Sequence, residues 1–164
     1  MPKATAAHEP EIRATLEALV ATPEQIARIA RGHSEAILHH SPAPDAWSAR
    51  EIVAHLRACA EVWGRSIDRM IAEHEPTIRY VSPRGWLKKT DYLNQNFAES
   101  LRDFAGVRRG LLDTLVGLDV AGWSRRATFT GTTLGREATV LSYAKRIAEH
   151  EVQHLEQLRR VLER

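Results

Sequence analysis

Apolar residues recur at spacings of three and four from Val140 to the end of the chain, in a pattern close to a sustained heptad. A helix brings residues with this spacing onto one face, and a long apolar face has to be buried against other helices. The stripe consists of Val140, Tyr143, Ala144, Ile147, His150, Glu151, His154, Leu158 and Val161. The segment therefore predicts a long helix that packs in a bundle.

Three earlier segments show the same periodicity, over residues 11–31, 48–75 and 90–116. No part of the sequence has a convincing strand pattern. Four amphipathic helices predict an all-α fold, a four-helix bundle in which each stripe is buried by the others. A length of 164 residues suits a single domain that covers residues 1–164.

Local signals predict where these helices begin and end. Ser48 and Glu51 have the spacing of a capping box, which predicts the start of the second helix. That helix should end before Pro76, because the residue preceding a proline is disfavoured in the helical conformation. Within the first helix, Thr22-Pro23-Glu24-Gln25 has the form of a helix start, so we expect a break or a kink near Thr22.

The connecting segments carry turn-forming residues. Residues 76–89 contain proline and glycine without a helical period, which predicts a long loop between the second and third helices. Residues 117–135 are rich in glycine, and residues 128–133 within them favour a short extended excursion but no sheet.

Composition argues against several functional classes. The formal net charge is +2, and basic residues alternate with acidic ones in residues 57–69, 102–109 and 159–164, which predicts solvated helix faces and no nucleic-acid partner. Cys59 is the only cysteine, so neither an intramolecular disulfide nor a thiolate-rich cluster can form. The first residues lack the apolar core of a signal peptide, and no apolar run approaches the roughly 20 residues of a membrane span. We therefore expect a cytoplasmic protein without a membrane partner.

His150 and His154 lie four residues apart within the stripe of the last helix. Residues with this spacing have Cβ atoms about 5–6 Å apart on one helical face, so their imidazoles can bind one ion. A buried imidazole needs a partner, either a metal ion or a neighbouring carbonyl or carboxylate. A third histidine, His55, lies at a core position of the second helix, which favours the metal. We predict a divalent metal site formed by His55, His150 and His154.

Residues 150–154 also match the metalloprotease motif H-E-x-x-H. The ten residues after His154 contain neither a histidine nor the glycine of the extended motif, so a third ligand has to lie upstream, where His55 is best placed. Cys59 lies one turn beyond His55 and could reach the ion, but a single buried cysteine is more often part of core packing.

Two motifs resemble the DinB/YfiT-like superfamily of metal-dependent enzymes. Trp-Ser-x-x-Glu-x-x-x-His-Leu occupies residues 47–56, and His-x-x-x-His-x-x-Gln occupies residues 150–157. The resemblance implies an up-up-down-down bundle with zinc, nickel or a similar ion such as iron or manganese on His55, His150 and His154, beside open, water-filled positions. It also implies a homodimer, and in some relatives a transferase or isomerase reaction that uses a low-molecular-weight thiol.

Three neutral imidazoles leave the charge of an ion uncompensated, and such an ion lowers the pKa of a bound water or thiol. We expect activation either of a low-molecular-weight thiol, which the resemblance favours, or of a water, for reaction with a small-molecule substrate. Glu151 is a candidate catalytic proton acceptor, with a ligand-orienting group and a solvated charge as alternatives. The competing hypothesis is a non-enzymatic metal-binding or stress-related bundle, which a fourth protein ligand would favour.

Overall fold

The computed structural model describes residues 3–132 and 137–163. Its elements, in chain order, are α1 (Lys3–Ala30), α2 (Glu35–His39), α3 (Ala49–Ala72), β1 (Thr77–Arg79), α4 (Pro83–Leu87), α5 (Phe97–Val116), α6 (Val120–Trp123), β2 (Arg126–Thr130), β3 (Glu137–Thr139) and α7 (Val140–Leu162). A single 3-10 turn, Tyr92–Asn94, precedes α5. None of the helices in the described ranges has the length and apolarity needed to span a membrane.

The four long helices α1, α3, α5 and α7 form a bundle. Helix α3 packs against α5 and α7, and α1 packs against the same two helices, so α1 and α3 lie on one diagonal. The apolar stripes face inward, as the periodicity of the sequence predicts, and the predicted all-α four-helix class is confirmed.

The capping box at the start of α3 is formed. Ser48 accepts a hydrogen bond from the backbone N–H of Glu51 through its hydroxyl, and its own backbone N–H donates to the Glu51 carboxylate at 2.8 Å. The predicted start at Thr90 for the third long helix is wrong, because a second capping box, between Asn96 and Glu99, begins α5 at Phe97.

Of the two alternatives predicted near Thr22, the break is wrong, since α1 runs continuously through Thr22, and the kink stays a prediction. The Thr22 hydroxyl does not cap a new helix but donates to the carbonyl of Ala18 at 3.0 Å, within the same helix. Leu19 and Ile26, on either side of this point, are both fully buried. A continuous helix keeps these two residues on one inward face, and a break would remove one of them from the core.

The prediction that no sheet forms is wrong as well. Strands β1, β2 and β3 form one sheet in that order, with Thr77 beside Thr128 in a parallel pair and Arg126 beside Thr139 in an antiparallel pair. Ala127 and Phe129 alternate inward along β2 and pack on the bundle. The predicted excursion at residues 128–133 thus corresponds to the end of β2, although residue 133 lies outside the described ranges. The predicted loop at residues 76–89 contains β1 and α4.

The core of the bundle contains two large apolar clusters, a third, small one that includes Leu87 of α4, and polar side chains among them. One cluster is centred on residues such as Leu19, Leu111 and Ile147, and the other on Ile26, Phe104 and Leu158. The intervening positions carry a group of side chains that we call the polar layer: His55 of α3, Arg108 of α5, and His150, Glu151 and His154 of α7. Arg108 is 1% exposed, which contradicts the prediction of a solvated face at residues 102–109.

Candidate metal centre

Two helices bring the three predicted histidines together. His150 and His154 follow each other by one turn of α7, and their Nε2 atoms lie 3.1 Å apart. The ring of His55, from α3, lies 4.9 Å from that of His154 and 5.5 Å from that of His150, measured between centroids. The predicted juxtaposition of His55 with the pair on α7 is therefore present in the fold.

A neighbouring amide fixes the orientation of His154. Its Nδ1 lies 2.8 Å from Oε1 of Gln157, an acceptor, so Nδ1 carries the proton and the lone pair is on Nε2. Hydrogen bonds of this kind are typical of histidines that bind metal. In the part of the chain that the structure describes, Nδ1 of His150 is buried without a hydrogen-bond partner. The ring of His150 therefore has a protein neighbour at hydrogen-bond distance from Nε2, the Nε2 atom of His154, but none at Nδ1 among the described residues.

Burial keeps the imidazoles neutral. Desolvation, reinforced by the mutual repulsion of the other two rings and of Arg84, lowers the pKa of His55 from 6.5 to about 3. Desolvation and the charge of His154 lower the pKa of His150 to about 4. The pKa of His154 is also lowered by burial, although the Gln157 hydrogen bond acts in the opposite direction. Neutral imidazole is the form that binds a metal ion.

Cys59 lies against the same site. Its Sγ atom is 3.4 Å from Nε2 of His55, and potential ligand atoms of His55, Cys59 and His150 all lie within 4.8 Å of one another. The side chain is 1% exposed and belongs to an apolar cluster, as core packing predicts. Burial, together with the nearby charge of Glu151, raises the pKa of the thiol, so it is protonated unless an ion displaces the proton.

Glu151 is 1% exposed, so the alternative of a solvated charge is wrong. Its Oε2 atom accepts from Nη1 of Arg108 at 2.9 Å, and its Oε1 atom accepts from Nη2 of the same guanidinium. Both carboxylate oxygens are thus bound to one buried cation. The catalytic role of Glu151 stays a prediction, and its placement next to His150 in the polar layer suits a group that holds α7 in position.

Two tryptophans and an arginine lie beside the histidine cluster. The Trp47 ring lies 4.8 Å from that of His55 and 6.2 Å from that of His154, and Trp63 contacts His150 edge to face at 4.8 Å. Arg84 of α4 lies over Trp47, with its guanidinium carbon 5.1 Å from the ring centroid. The sequence gives no periodic signal for Arg84, because α4 is a single helical turn inside a connector.

The remaining histidines that have described contacts make them elsewhere. Nδ1 of His33 lies 3.3 Å from the carbonyl of Ala30 at the end of α1, and His39 pairs with Glu35 within α2. Arg108 and Gln157 are the partners that sequence reasoning did not select. Arg108 lies four residues after Phe104 and three before Leu111, on the apolar face of α5, but its charged neighbours in the sequence hide this spacing.

The donor set fits a divalent transition metal. Imidazole nitrogen suits zinc, nickel, iron and copper, with metal–nitrogen bonds of about 2.0–2.1 Å for zinc. Two facing Nε2 atoms and a third ring from another helix form an arrangement that coordination to one shared ion satisfies. The one carboxylate in the polar layer is already neutralised by Arg108.

Comparison with solved structures finds the same fold in YfiT from Bacillus subtilis, described as a probable metal-dependent hydrolase with an unusual four-helix bundle topology. The TM-score is 0.82 and the sequence identity is 15%, over 93% of this chain and 86% of that chain. A search of curated proteins found no match. The family model of the DinB superfamily matches residues 18–158, which include the three histidines. The chain therefore belongs to the DinB superfamily.

Proposed function

We propose that this protein is a metal-dependent enzyme in which His55, His150 and His154 hold one divalent ion. Zinc and nickel are the favoured ions. The bound ion would activate a nucleophile for attack on a small-molecule substrate. The observation that carries the proposal is the convergence of three neutral imidazoles from two helices, with facing Nε2 atoms 3.1 Å apart. The description of YfiT as a probable metal-dependent hydrolase supports it.

An ion on three neutral ligands supplies a Lewis acid that lowers the pKa of a bound water or thiol. The chain supplies the geometry around it. Gln157 holds the tautomer of His154, and the Arg108–Glu151 pair fixes α7 against α5. Trp47 and Trp63 shield the rings on two sides and restrict the access of bulk water.

Two nucleophiles are consistent with this site. A low-molecular-weight thiol is favoured by the family resemblance of the two histidine motifs, and it would serve in an S-transferase or isomerase reaction. A water is favoured by the similarity to YfiT. The two cases differ in cosubstrate, since turnover of an ester without thiol indicates hydrolysis, and turnover of an electrophile only with added thiol indicates transfer.

Elemental analysis of protein purified without an affinity tag tests the site directly. We expect about one divalent ion per chain, reduced at least tenfold in the His55→Ala, His150→Ala and His154→Ala variants. The His33→Ala variant is the matched control, because its ring lies at the end of α1, and it should bind the ion normally. Equal metal content in all four variants would overturn the proposal.

Turnover is the second part of the test. The metal-loaded protein is assayed against a panel of esters and, with added glutathione, mycothiol or bacillithiol, against alkylating electrophiles. We expect a rate that disappears when the ion is removed by a chelator and in His154→Ala. A rate that persists in the chelated protein would contradict the metal-dependent mechanism.

Cys59 supports a second candidate function, a metal-binding bundle without turnover. A sulfur 3.4 Å from His55 could complete a four-ligand site, and closed sites of this kind are structural. Cobalt(II) distinguishes the cases, because a thiolate ligand gives an intense near-ultraviolet charge-transfer band. If Cys59 is a ligand, this band is present and is lost in Cys59→Ser. If the site is open, the cobalt spectra of the two proteins are alike.

We also propose that the protein forms a homodimer, an expectation that rests on the family resemblance alone. Light scattering coupled to size-exclusion chromatography tests it, and a mass near 18.5 kDa, that of one chain, would refute it.

A further inference from the structure

Arg84 is a cation beside the histidine cluster. Its guanidinium carbon lies 5.1 Å from the centroid of Trp47, and the same indole lies 4.8 Å from His55 and 6.2 Å from His154. One aromatic ring thus connects Arg84 to two of the three candidate ligands.

Within residues 3–132 and 137–163, Arg84 forms no ion pair with a carboxylate. Other arginines near the core differ: Arg57 pairs with Asp103 at 3.0 Å, and Arg108 pairs with Glu151. The side chain of Arg84 is exposed, and α4 carries no acidic residue in its first turn. A guanidinium that lies over an aromatic ring keeps its edge N–H groups available for an anion.

The position of Arg84 affects the balance of charge around the proposed metal ion. Three neutral imidazoles leave the charge of a divalent ion uncompensated, and the nearby carboxylate of Glu151 is already paired with Arg108. Arg84 adds a further positive charge beside the histidine cluster, which is unfavourable for binding a metal ion alone. The combination becomes favourable when an anion lies between the ion and the guanidinium.

We propose that Arg84 binds a carboxylate of the small molecule that reacts at the metal site, so that this enzyme selects an acidic substrate or an acidic thiol. The juxtaposition of Arg84, Trp47 and the His55–His154 pair carries the inference, which rests on the proposed function. The planar guanidinium of an arginine offers two parallel N–H donors, which match the two oxygens of a carboxylate better than the ammonium group of a lysine does. Arg84 is then a specificity-determining residue, and the histidines perform the metal binding.

Cobalt(II)-loaded protein provides the test, with two thiols of similar size as probes. The cobalt absorption is titrated with 3-mercaptopropionate, which carries a carboxylate, and with 2-mercaptoethanol, which is uncharged. In the unmodified protein we expect the acidic thiol to bind about tenfold more tightly or better, in line with a charge-assisted hydrogen bond. In Arg84→Gln the affinities should become similar, through weaker binding of 3-mercaptopropionate only. Arg84→Lys should retain part of the preference.

Arg102→Gln is the matched control, since it removes one positive charge from an exposed side chain of α5 that pairs only with its neighbour Asp103 among the described residues. It should leave the preference unchanged. Equal ratios of the two dissociation constants in the unmodified protein and in Arg84→Gln would overturn the inference, as would a spectrum that responds to neither thiol. A different result would contradict the proposed function: cobalt does not bind to the protein, or it binds equally well to the His154→Ala variant.

Discussion

Arg108 donates a hydrogen bond through Nη1 to the backbone carbonyl of Leu19, at 3.0 Å. In a regular helix this carbonyl would accept from the N–H of residue 23, but residue 23 is a proline and has no N–H. The guanidinium of α5 therefore replaces the missing donor of α1, and it binds Glu151 of α7 at the same time. One buried cation thus joins three helices in the layer that contains the candidate metal site.

Removing the cation should destabilise the protein strongly. In Arg108→Met, Glu151 becomes an unpaired buried charge and Leu19 keeps an unsatisfied carbonyl, so we expect a loss of about 3–5 kcal/mol in the free energy of unfolding. Urea denaturation followed by circular dichroism measures it. The double variant Arg108→Met/Glu151→Met should recover much of the loss, because no charge is then left unpaired. Double and single variants of equal stability would contradict this account.

Pro23 should couple energetically to Arg108. Pro23→Ala restores the N–H that can donate to Leu19, and the restored bond matters most when Arg108 is absent. We expect Pro23→Ala to raise stability more in the Arg108→Met background than in the unmodified protein, with a coupling energy of about 1 kcal/mol. A double-mutant cycle in urea measures this difference. Additive effects would show that the Leu19 carbonyl does not link the two residues.

The long helices could be predicted from the sequence because their signals are local. The residues that make up each signal are close together in the sequence. Ser48 and Glu51 are three residues apart, and the apolar residues of α7 recur every three or four positions; both features are formed as predicted. The sheet could not be predicted in this way, because Thr77 pairs with Thr128 across a connection that contains α4, α5 and α6. Each strand alone is too short to give a periodic signal.

The polar layer, too, could be predicted from the sequence only in part. His150 and His154 share a helical face by their spacing, so their proximity followed from the sequence, and His55 was placed by its core position. The burial of Arg108 could not be predicted, because an arginine among the other charged residues of α5 has the composition of a solvated face. Its burial depends on Glu151 and on the carbonyl left free by Pro23, two partners on other helices. Tertiary partners of this kind leave no local pattern.

The stability of the metal-free protein should depend on pH through the histidines. The pKa values of His55 and His150 in the folded protein are about 3 and about 4, below the ordinary value of 6.5, so the unfolded chain binds more protons at intermediate pH. Stability is therefore fully present above pH 6.5 and decreases as the pH falls from 6.5 towards 4, by about 2–4 kcal/mol after allowance for partial solvent screening. Chemical denaturation at several pH values measures the slope. The His55→Ala/His150→Ala variant should lose most of it, and an unchanged slope in that variant would assign the effect to other groups.

Gln157 should control the metal affinity of His154 without binding the ion itself. Its Oε1 atom accepts from Nδ1 of His154 at 2.8 Å, which keeps the Nε2 lone pair directed at Nε2 of His150. In Gln157→Leu the ring can rotate or change tautomer, so we expect zinc affinity to fall about 10–100-fold, as for other residues that orient metal-binding histidines. Gln157→Glu keeps an acceptor at this position and should retain or exceed the original affinity. Gln153→Leu, exposed one turn earlier on α7, is the control and should have no effect. Competition with a chromophoric chelator gives the affinities, and a Gln157→Leu protein with unchanged affinity would show that the amide does not orient His154.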